Sequence, residues 1–212
     1  MGPPVKRRYD VSKRRQAATR TRQLILDAAL ELFTSQGYAA TPMTAIAQRA
    51  GVALDTVYAS VGRKPELARL LIEAAISGSS QAIPAEERDY VQAIRAAPDA
   101  ETKIAIYASA MRGIAGRLAP VLSIIQQAAA AEPELAALWQ QIADRRAANM
   151  RLFAADLAAV TSMRVDPDDA ADIIWATNTP ELYQLLVSQR GWSPERYEHF
   201  LADTWRRLLL AD

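Results

Sequence analysis

The sequence predicts an all-α protein. Apolar residues recur at helical spacing over most of its 212 residues. Prolines and glycines punctuate the chain at intervals that suit separate helices. No stretch alternates apolar and polar residues for long enough to make a useful strand.

The elements follow in order. Residues 1–12, MGPPVKRRYDVS, hold adjacent prolines and no periodic pattern, and read as a flexible basic arm. From about Ser12 the pattern turns helical. Leu24, Ala28 and Leu32, with Ile25, Ala29 and Phe33, repeat at i, i+4, i+8 and form a wide apolar stripe that Gly37 ends. Thr41-Pro42 reads as a helix start, with Thr41 as N-cap and Pro42 at the first position, where no N–H is needed. A short helix, Met43 to Ala50, is broken by Gly51. A second runs from about Leu54 to Ser60 and ends before Gly62. Lys64-Pro65-Glu66 opens a longer helix through Ile76, with Leu67, Leu70, Leu71 and Ala74 facing inward and Gly78-Ser79-Ser80 as its stop.

Beyond residue 80 the helical segments are roughly 85–97, 99–118, 120–131, 133–160, 167–189 and 194–211. Pro84, Pro98, Pro120, Pro133, Pro167 and Pro194 stand at or near their starts. Pro180 falls inside a helical run, and is expected to kink it or split it around Thr179. The helix around 64–79 joins the two parts of the chain without a flexible hinge.

Composition bounds the function. Half of the residues are hydrophobic and 23% are charged, so a packed core is expected. The absence of cysteine excludes disulfides, thiol catalysis and Cys-based zinc sites. The N-terminus lacks the apolar core of a secretory signal, and no uncharged apolar run approaches the roughly 18 residues of a membrane helix. A cytoplasmic address without membrane contact is the expectation. The net charge of +1 hides an asymmetry. Residues 1–22 carry eight basic residues against Asp10 alone, so the body is acidic. A basic end on an acidic body suits a polyanionic partner, though a solvated tail has the same composition.

The segment TPMTAIAQRAGVALDTVYAS narrows this to a helix-turn-helix. Two short helices crossing steeply need a small residue at the contact, and Ala47 supplies it. They need a residue that accepts positive φ at the turn, and Gly51 supplies it. Ile46, Ala50, Val52 and Val57 have the spacing to hold the pair together, which leaves the outer face of the second helix free for a major groove.

Over about residues 20–72 the chain resembles the TetR family of bacterial regulators. The resemblance rests on ILDAALELFTSQGY, the threonine after Tyr38, IAQRAGVALDTVY and RKPEL. It implies an N-terminal three-helix DNA-binding domain (13–62 here, after the arm of 1–12). A helical effector-binding and dimerisation domain would follow over 63–212, with dimerisation through the last two long helices. It further implies a transcriptional regulator, a repressor, that binds double-stranded operator DNA as a homodimer and is released by a largely apolar small molecule. No cofactor is implied. Thr41 matches a helix-capping threonine that reaches phosphate, and Thr44 a first-turn position facing DNA. Leu54 and Asp55 open the recognition helix and are candidate DNA-binding residues with it. Thr56 and Tyr58 match recognition-helix contacts, and Lys64 matches a phosphate-binding lysine at the next helix start.

The chain departs from the family at Ala53-Leu54-Asp55, where a polar cap and a lysine or glycine are common, and at Ala59-Ser60-Val61, where aromatics are. An acid facing DNA is costly unless it accepts from cytosine N4 or caps its own helix. The arm residues Lys6, Arg7 and Arg8 suit diffuse phosphate neutralisation better than base reading.

In the C-terminal part, Met111, Trp139, Trp175 and Asn178 are candidate effector-pocket residues, with ordinary core packing as the plainer reading of each. For dimerisation the candidate stripes are Ile173, Ile174, Leu182, Leu185 and Leu186, and then Phe200, Leu201, Trp205, Leu208 and Leu209. An enzyme is the rival class. It lacks support: His199 is the sole histidine, no nucleophile signature or Gly-rich phosphate loop is present, and Asp168-Asp169 and Glu86-Glu87 look like first-turn helix charges. A helical DNA-binding protein with little sequence preference is a second alternative.

Overall fold

Between Val5 and Gln36 the chain holds neither glycine nor proline, and one helix, α1 (Val5–Gln36), runs the whole length. In the computed structural model, which describes residues 5–80 and 83–211, most of the stretch read as an arm is therefore the beginning of α1. Residues 1–4 lie outside the described residues. The order continues α2 (Met43–Ala50), α3 (Leu54–Val61), α4 (Lys64–Ser77), a 3-10 turn (Ala85–Glu87) and α5 (Asp89–Ala96). It then runs α6 (Ala100–Ala129), α7 (Pro133–Ala158), α8 (Pro167–Thr177), α9 (Pro180–Tyr183), a π-helical turn (Gln184–Gln189) and α10 (Pro194–Leu209). Among the described residues there is no strand, only an isolated bridge between Met163 and Leu210 that ties the α7–α8 loop to the end of α10.

Two prolines behave differently from one another. Pro180 splits its segment. α8 stops at Thr177, Thr179 becomes the next N-cap, and its hydroxyl accepts from the Leu182 N–H at 3.1 Å. Pro120 does not start a helix as the spacing suggested, but lies inside α6. The packing around it explains why: Ala119, Val121 and Leu122 are all buried, and Gln184 Nε2 donates to the Ala119 carbonyl at 3.1 Å. Tertiary contacts on several sides hold the helix together through a residue that would break an isolated one. Gly116, one turn earlier, fits because a Cβ there would lie 3.0 Å from the Tyr183 hydroxyl.

α6 is the spine of the C-terminal part, packed by α4, α5, α7, α9 and α10. Its inner face meets an aromatic cluster in which Tyr107 lies 4.6 Å from Phe153 and 5.3 Å from Trp205, between ring centroids. Trp205 is fully buried, and its indole N–H donates to the Thr177 hydroxyl at 2.7 Å, which locks α10 onto the end of α8. Ile174, Leu201, Trp205 and Leu209 are all spent in this core, so the apolar stripes offered above for dimerisation are narrower than the sequence suggested. Leu185 and Leu208 are the members left about half exposed.

Trp205→Ala is expected to lower the unfolding free energy by about 3–5 kcal/mol, from the cavity and the lost indole bond. Urea denaturation followed by far-UV circular dichroism measures it. A loss below about 1 kcal/mol would show that α10 is anchored elsewhere.

Candidate nucleic-acid interface and internal cavity

The N-terminal helices close on α1 through Ile25, Ala29, Phe33, Ile46, Ala47 and Val57, all buried. Gly51 turns the chain between α2 and α3 with φ 69° and ψ 31°, a left-handed conformation that costs a side-chain-bearing residue about 1 kcal/mol or more. Two polar ties fix the arrangement on α1. Arg49 on α2 forks onto the Glu31 carboxylate at 2.6 Å, and Arg22 donates to the Ser60 carbonyl at the end of α3 at 2.9 Å. Val57 and Val61 point α3 inward. Asp55, Thr56 and Tyr58 are consequently exposed on its other side, Tyr58 by 46%. Tyr58 is thus not a core aromatic. Leu54 is half-buried against the core edge, and Thr44 is exposed in the first turn of α2. No side chain caps the N-terminus of α2 or α3, so first-turn N–H groups of both remain without a side-chain acceptor. Lys13, Arg14, Arg15 and Arg20 are exposed along α1.

Two predicted contact residues are placed differently. Thr41 is fully buried and is not the N-cap of α2; that position falls to Pro42. The Thr41 hydroxyl donates to the Gly37 carbonyl at 2.8 Å, which closes the loop after α1 and turns the side chain away from any outer partner. Lys64 is half-buried. Its ammonium sits 4.3 Å from the centre of the Tyr38 ring and 3.4 Å from the Ala39 carbonyl, and burial lowers its pKa.

α4 leaves this domain and enters the other. Arg63 precedes it, and the Glu66 carboxylate accepts from the Arg63 backbone N–H at 2.9 Å and from its guanidinium. Farther along, Glu73 receives Arg145 of α7 at 2.6 Å and Arg88 at 3.9 Å. Arg117 of α6 donates to the Ala75 carbonyl at 2.8 Å. Ile76 then forms part of the wall of a cavity of about 450 Å³ between α4, α5, α6 and α7.

The cavity is apolar over most of its wall, with Ile94, Met111, Ile114, Leu118, Met150 and Phe153, and has a polar corner. There Arg146 donates to the Asn178 amide oxygen at 2.8 Å and to the Trp175 carbonyl at 3.0 Å. Asn178 donates onward to the Tyr107 hydroxyl at 3.0 Å, and Tyr107 to the Met150 sulfur at 3.3 Å. Burial lowers the Arg146 pKa, with Tyr107, Glu181 and Tyr197 acting the other way, and burial raises that of Tyr107. At another wall, Asp156 is engaged by buried Lys103 at 2.9 Å. Among the described residues no three His, Cys, Asp or Glu side chains are grouped to hold a metal ion.

Of the four pocket candidates, Met111 and Asn178 line the cavity; Trp139 and Trp175 do not. Trp175 lies behind the wall with its ring 5.1 Å from the Arg146 guanidinium, and Trp139 sits one position off the buried stripe of Leu138 and Ile142. The sequence reading missed Arg146, although the signal was present. Ile142, Arg146, Asn149, Met150 and Phe153 share one helical face, so a charge stands at an inward position. It also missed Glu73, whose role depends on α5 and α7 arriving beside it.

Residues 25–69 match the family model of bacterial regulatory proteins, tetR family. No curated protein matches the chain in sequence. The fold is similar to three solved structures, each at 20% identity. One is the SmeT–triclosan complex, over 91% of this chain and 92% of that one with a TM-score of 0.70. Another is NalD, the secondary repressor of the MexAB-OprM multidrug efflux pump in Pseudomonas aeruginosa, over 93% and 99% at 0.69. The third is FadR from Bacillus subtilis in complex with stearoyl-CoA, over 86% and 96% at 0.66. No described helix is long and apolar enough to cross a membrane.

Burial, with smaller contributions from Glu132, Glu134 and Glu66, pushes the Tyr38 phenol from 10.0 up to about 12. Its burial as the neutral form therefore contributes fully below pH 10, and the contribution is lost as pH rises through about 12. Over that window the urea midpoint should fall less steeply in Tyr38→Phe than in the parent. An equal fall would show that Tyr38 is not held neutral.

Proposed function

We propose that this chain, a transcriptional regulator with the DNA-binding domain of the tetR family of bacterial regulatory proteins, is a cytoplasmic repressor released from a pseudo-palindromic operator when a small molecule enters the cavity. The family is one of regulators and not of enzymes.

One observation carries the ligand-controlled reading. α4 starts beside the recognition helix and ends in the cavity wall, and Glu73 on it is gripped by two arginines, Arg88 and Arg145, that line the same cavity. A ligand that repositions those arginines acts on α4 through charge-assisted contacts. That similarly folded proteins form complexes with triclosan and with stearoyl-CoA supports a small-molecule ligand for this one. On DNA, α3 reads the major groove with Thr56 and Tyr58, and Asp55 either accepts from a cytosine amino group or serves its own helix dipole. Thr44 and the uncapped N-termini of α2 and α3 meet phosphate, and the basic side chains along α1 add counterion release. A homodimer presents two such helices. Leu185 and Leu208, half exposed after folding, belong to the paired face.

Selection from random duplexes is expected to yield a two-fold symmetric site with half-sites about one helical turn apart or somewhat more. Enrichment of asymmetric or single-stranded sequences would overturn the reading. On the selected site, Tyr58→Ala or Thr56→Ala should cost about 1–3 kcal/mol of operator affinity while random-duplex affinity changes little. Equal losses on both DNAs would assign these side chains to phosphate. Light scattering at micromolar concentration should return twice the 23.2 kDa chain mass, and a monomeric mass would exclude the two-fold arrangement.

A further inference from the structure

The polar corner of the cavity has an excess of hydrogen-bond donors. Arg146 uses its Nη2 for the Trp175 carbonyl and the Asn178 amide oxygen, while its Nε and Nη1 donors have no acceptor among the described residues. No carboxylate of the described residues forms an ion pair with it, although Arg145 beside it and Arg88 share Glu73, and Lys103 holds Asp156. The chain of bonds leading away from Arg146 ends on a thioether: both Asn178 Nδ2 and the Tyr107 hydroxyl donate to Met150 Sδ at 3.3 Å. Sulfur is a weak acceptor. Two more buried groups nearby in the bundle, Trp175 Nε1 and the Tyr197 hydroxyl, have no hydrogen-bond partner among the described residues. Trp175 is the ring stacked on Arg146.

A cation taken from water is normally paired with an anion, and here the pairing is missing on the side of the cavity. Most of the remaining wall is aliphatic, thioether and aromatic, alongside the polar residues Glu86, Arg88, Arg95, Arg145, Asn149 and Asp156, and that apolar majority suits a hydrocarbon body and not a small inorganic ion. We propose that the ligand of this cavity is an amphipathic carboxylate whose head group binds Arg146 and takes the Tyr107 hydroxyl proton donor away from Met150, with its apolar body along Met111, Ile114 and Leu118. The assignment rests on the reading of the cavity as an effector site, and adds the chemical class and the anchoring residue. The planar guanidinium explains the choice of a carboxylate, whose two oxygens accept from adjacent N–H groups together. A neutral alcohol of the same body can satisfy a single donor and leaves the charge unpaired.

The test uses matched acid and alcohol probes on the full chain. Dodecanoate is set against dodecan-1-ol, and 4-phenylbutyrate against 4-phenylbutan-1-ol, with binding read by tryptophan fluorescence and by isothermal calorimetry. The expected result is an acid at least tenfold tighter than its alcohol in one pair or both; the stronger pair tells whether the body is alkyl or aryl. Arg146→Gln should abolish the advantage of the acid over its alcohol, and Arg146→Lys should keep part of it. The comparison on the unaltered protein stands even if the variants fold poorly. Alcohols that bind as tightly as the acids, or an acid preference that survives Arg146→Gln in a folded protein, would overturn the assignment while the cavity remains a ligand site. If neither member of either pair binds, the assignment and the effector reading of the cavity both fall.

Discussion

Glu73 holds the two halves of this molecule in register. It lies on the one helix that belongs to both. It is paired at 2.6 Å with an arginine of α7 and at 3.9 Å with Arg88, just ahead of α5. Its carboxylate is mostly buried while Arg145 remains about half exposed, so the pair is stronger than a surface bridge without carrying the full desolvation cost of a core pair. Arg117 on the Ala75 carbonyl adds a second clamp within the same turn. α4 therefore cannot shift relative to α6 and α7 without exchanging partners for these groups. That is the condition for a small change in the cavity to be felt at α3, since packed interfaces move between discrete arrangements and do not deform continuously.

The polar contacts in and around the cavity are built on opposite principles. At Glu73 and at Lys103–Asp156 every charge has a partner, and those contacts position helices. At Arg146 the partners are neutral oxygens, and the hydrogen bonds run outward until they reach sulfur. Satisfied networks rigidify a fold, whereas a network short of an acceptor leaves donor capacity unused. The distinction also explains why aromatic residues were poor guides to the cavity. Trp205 and Phe153 pack around Tyr107 to shape the corner, and Trp175 supports Arg146 from behind; hydrogen-bond supply, and not ring area, defines the site.

How far the sequence reached follows from the range of the forces involved. The helix-turn-helix was legible because its constraints are local: Gly51 for the turn, Ala47 for the contact, Val57 for the inward face and Tyr58 for the outward one. The split at Pro180 was legible for the same reason, since Thr179 caps the next helix within three residues. Pro120 read wrongly because a helix can pass a proline when buried neighbours and a bond from Gln184 hold it, and such contacts are not written in adjacent residues. Thr41 read as a cap by residue type, yet the carbonyl it meets belongs to Gly37 and draws the hydroxyl inward. The arm read as flexible because it opens on adjacent prolines and its charges leave no apolar stripe, although nothing in residues 5–36 breaks a helix.

The magnitudes favour a switch built on a charge. Moving a regulator from mostly bound to mostly free on DNA requires a ligand to prefer one arrangement by a few kcal/mol, about 5.5 for a complete reversal. Apolar contact alone contributes about 25 cal/mol per Å² buried, and does so in whichever arrangement keeps the ligand covered, so its preference between arrangements is weak. A partly buried guanidinium that gains a carboxylate gains charge-assisted hydrogen bonds of about 1.5–3 kcal/mol each. Arg146 is one residue along α7 from Arg145, the arginine that grips Glu73. A ligand that settles Arg146 in a new position turns or shifts the same stretch of helix, and Arg145 must follow or release α4. Ligand charge, α7 and α4 are thereby joined through two adjacent arginines, one facing the cavity without an acid and the other holding the helix that carries the DNA-binding domain.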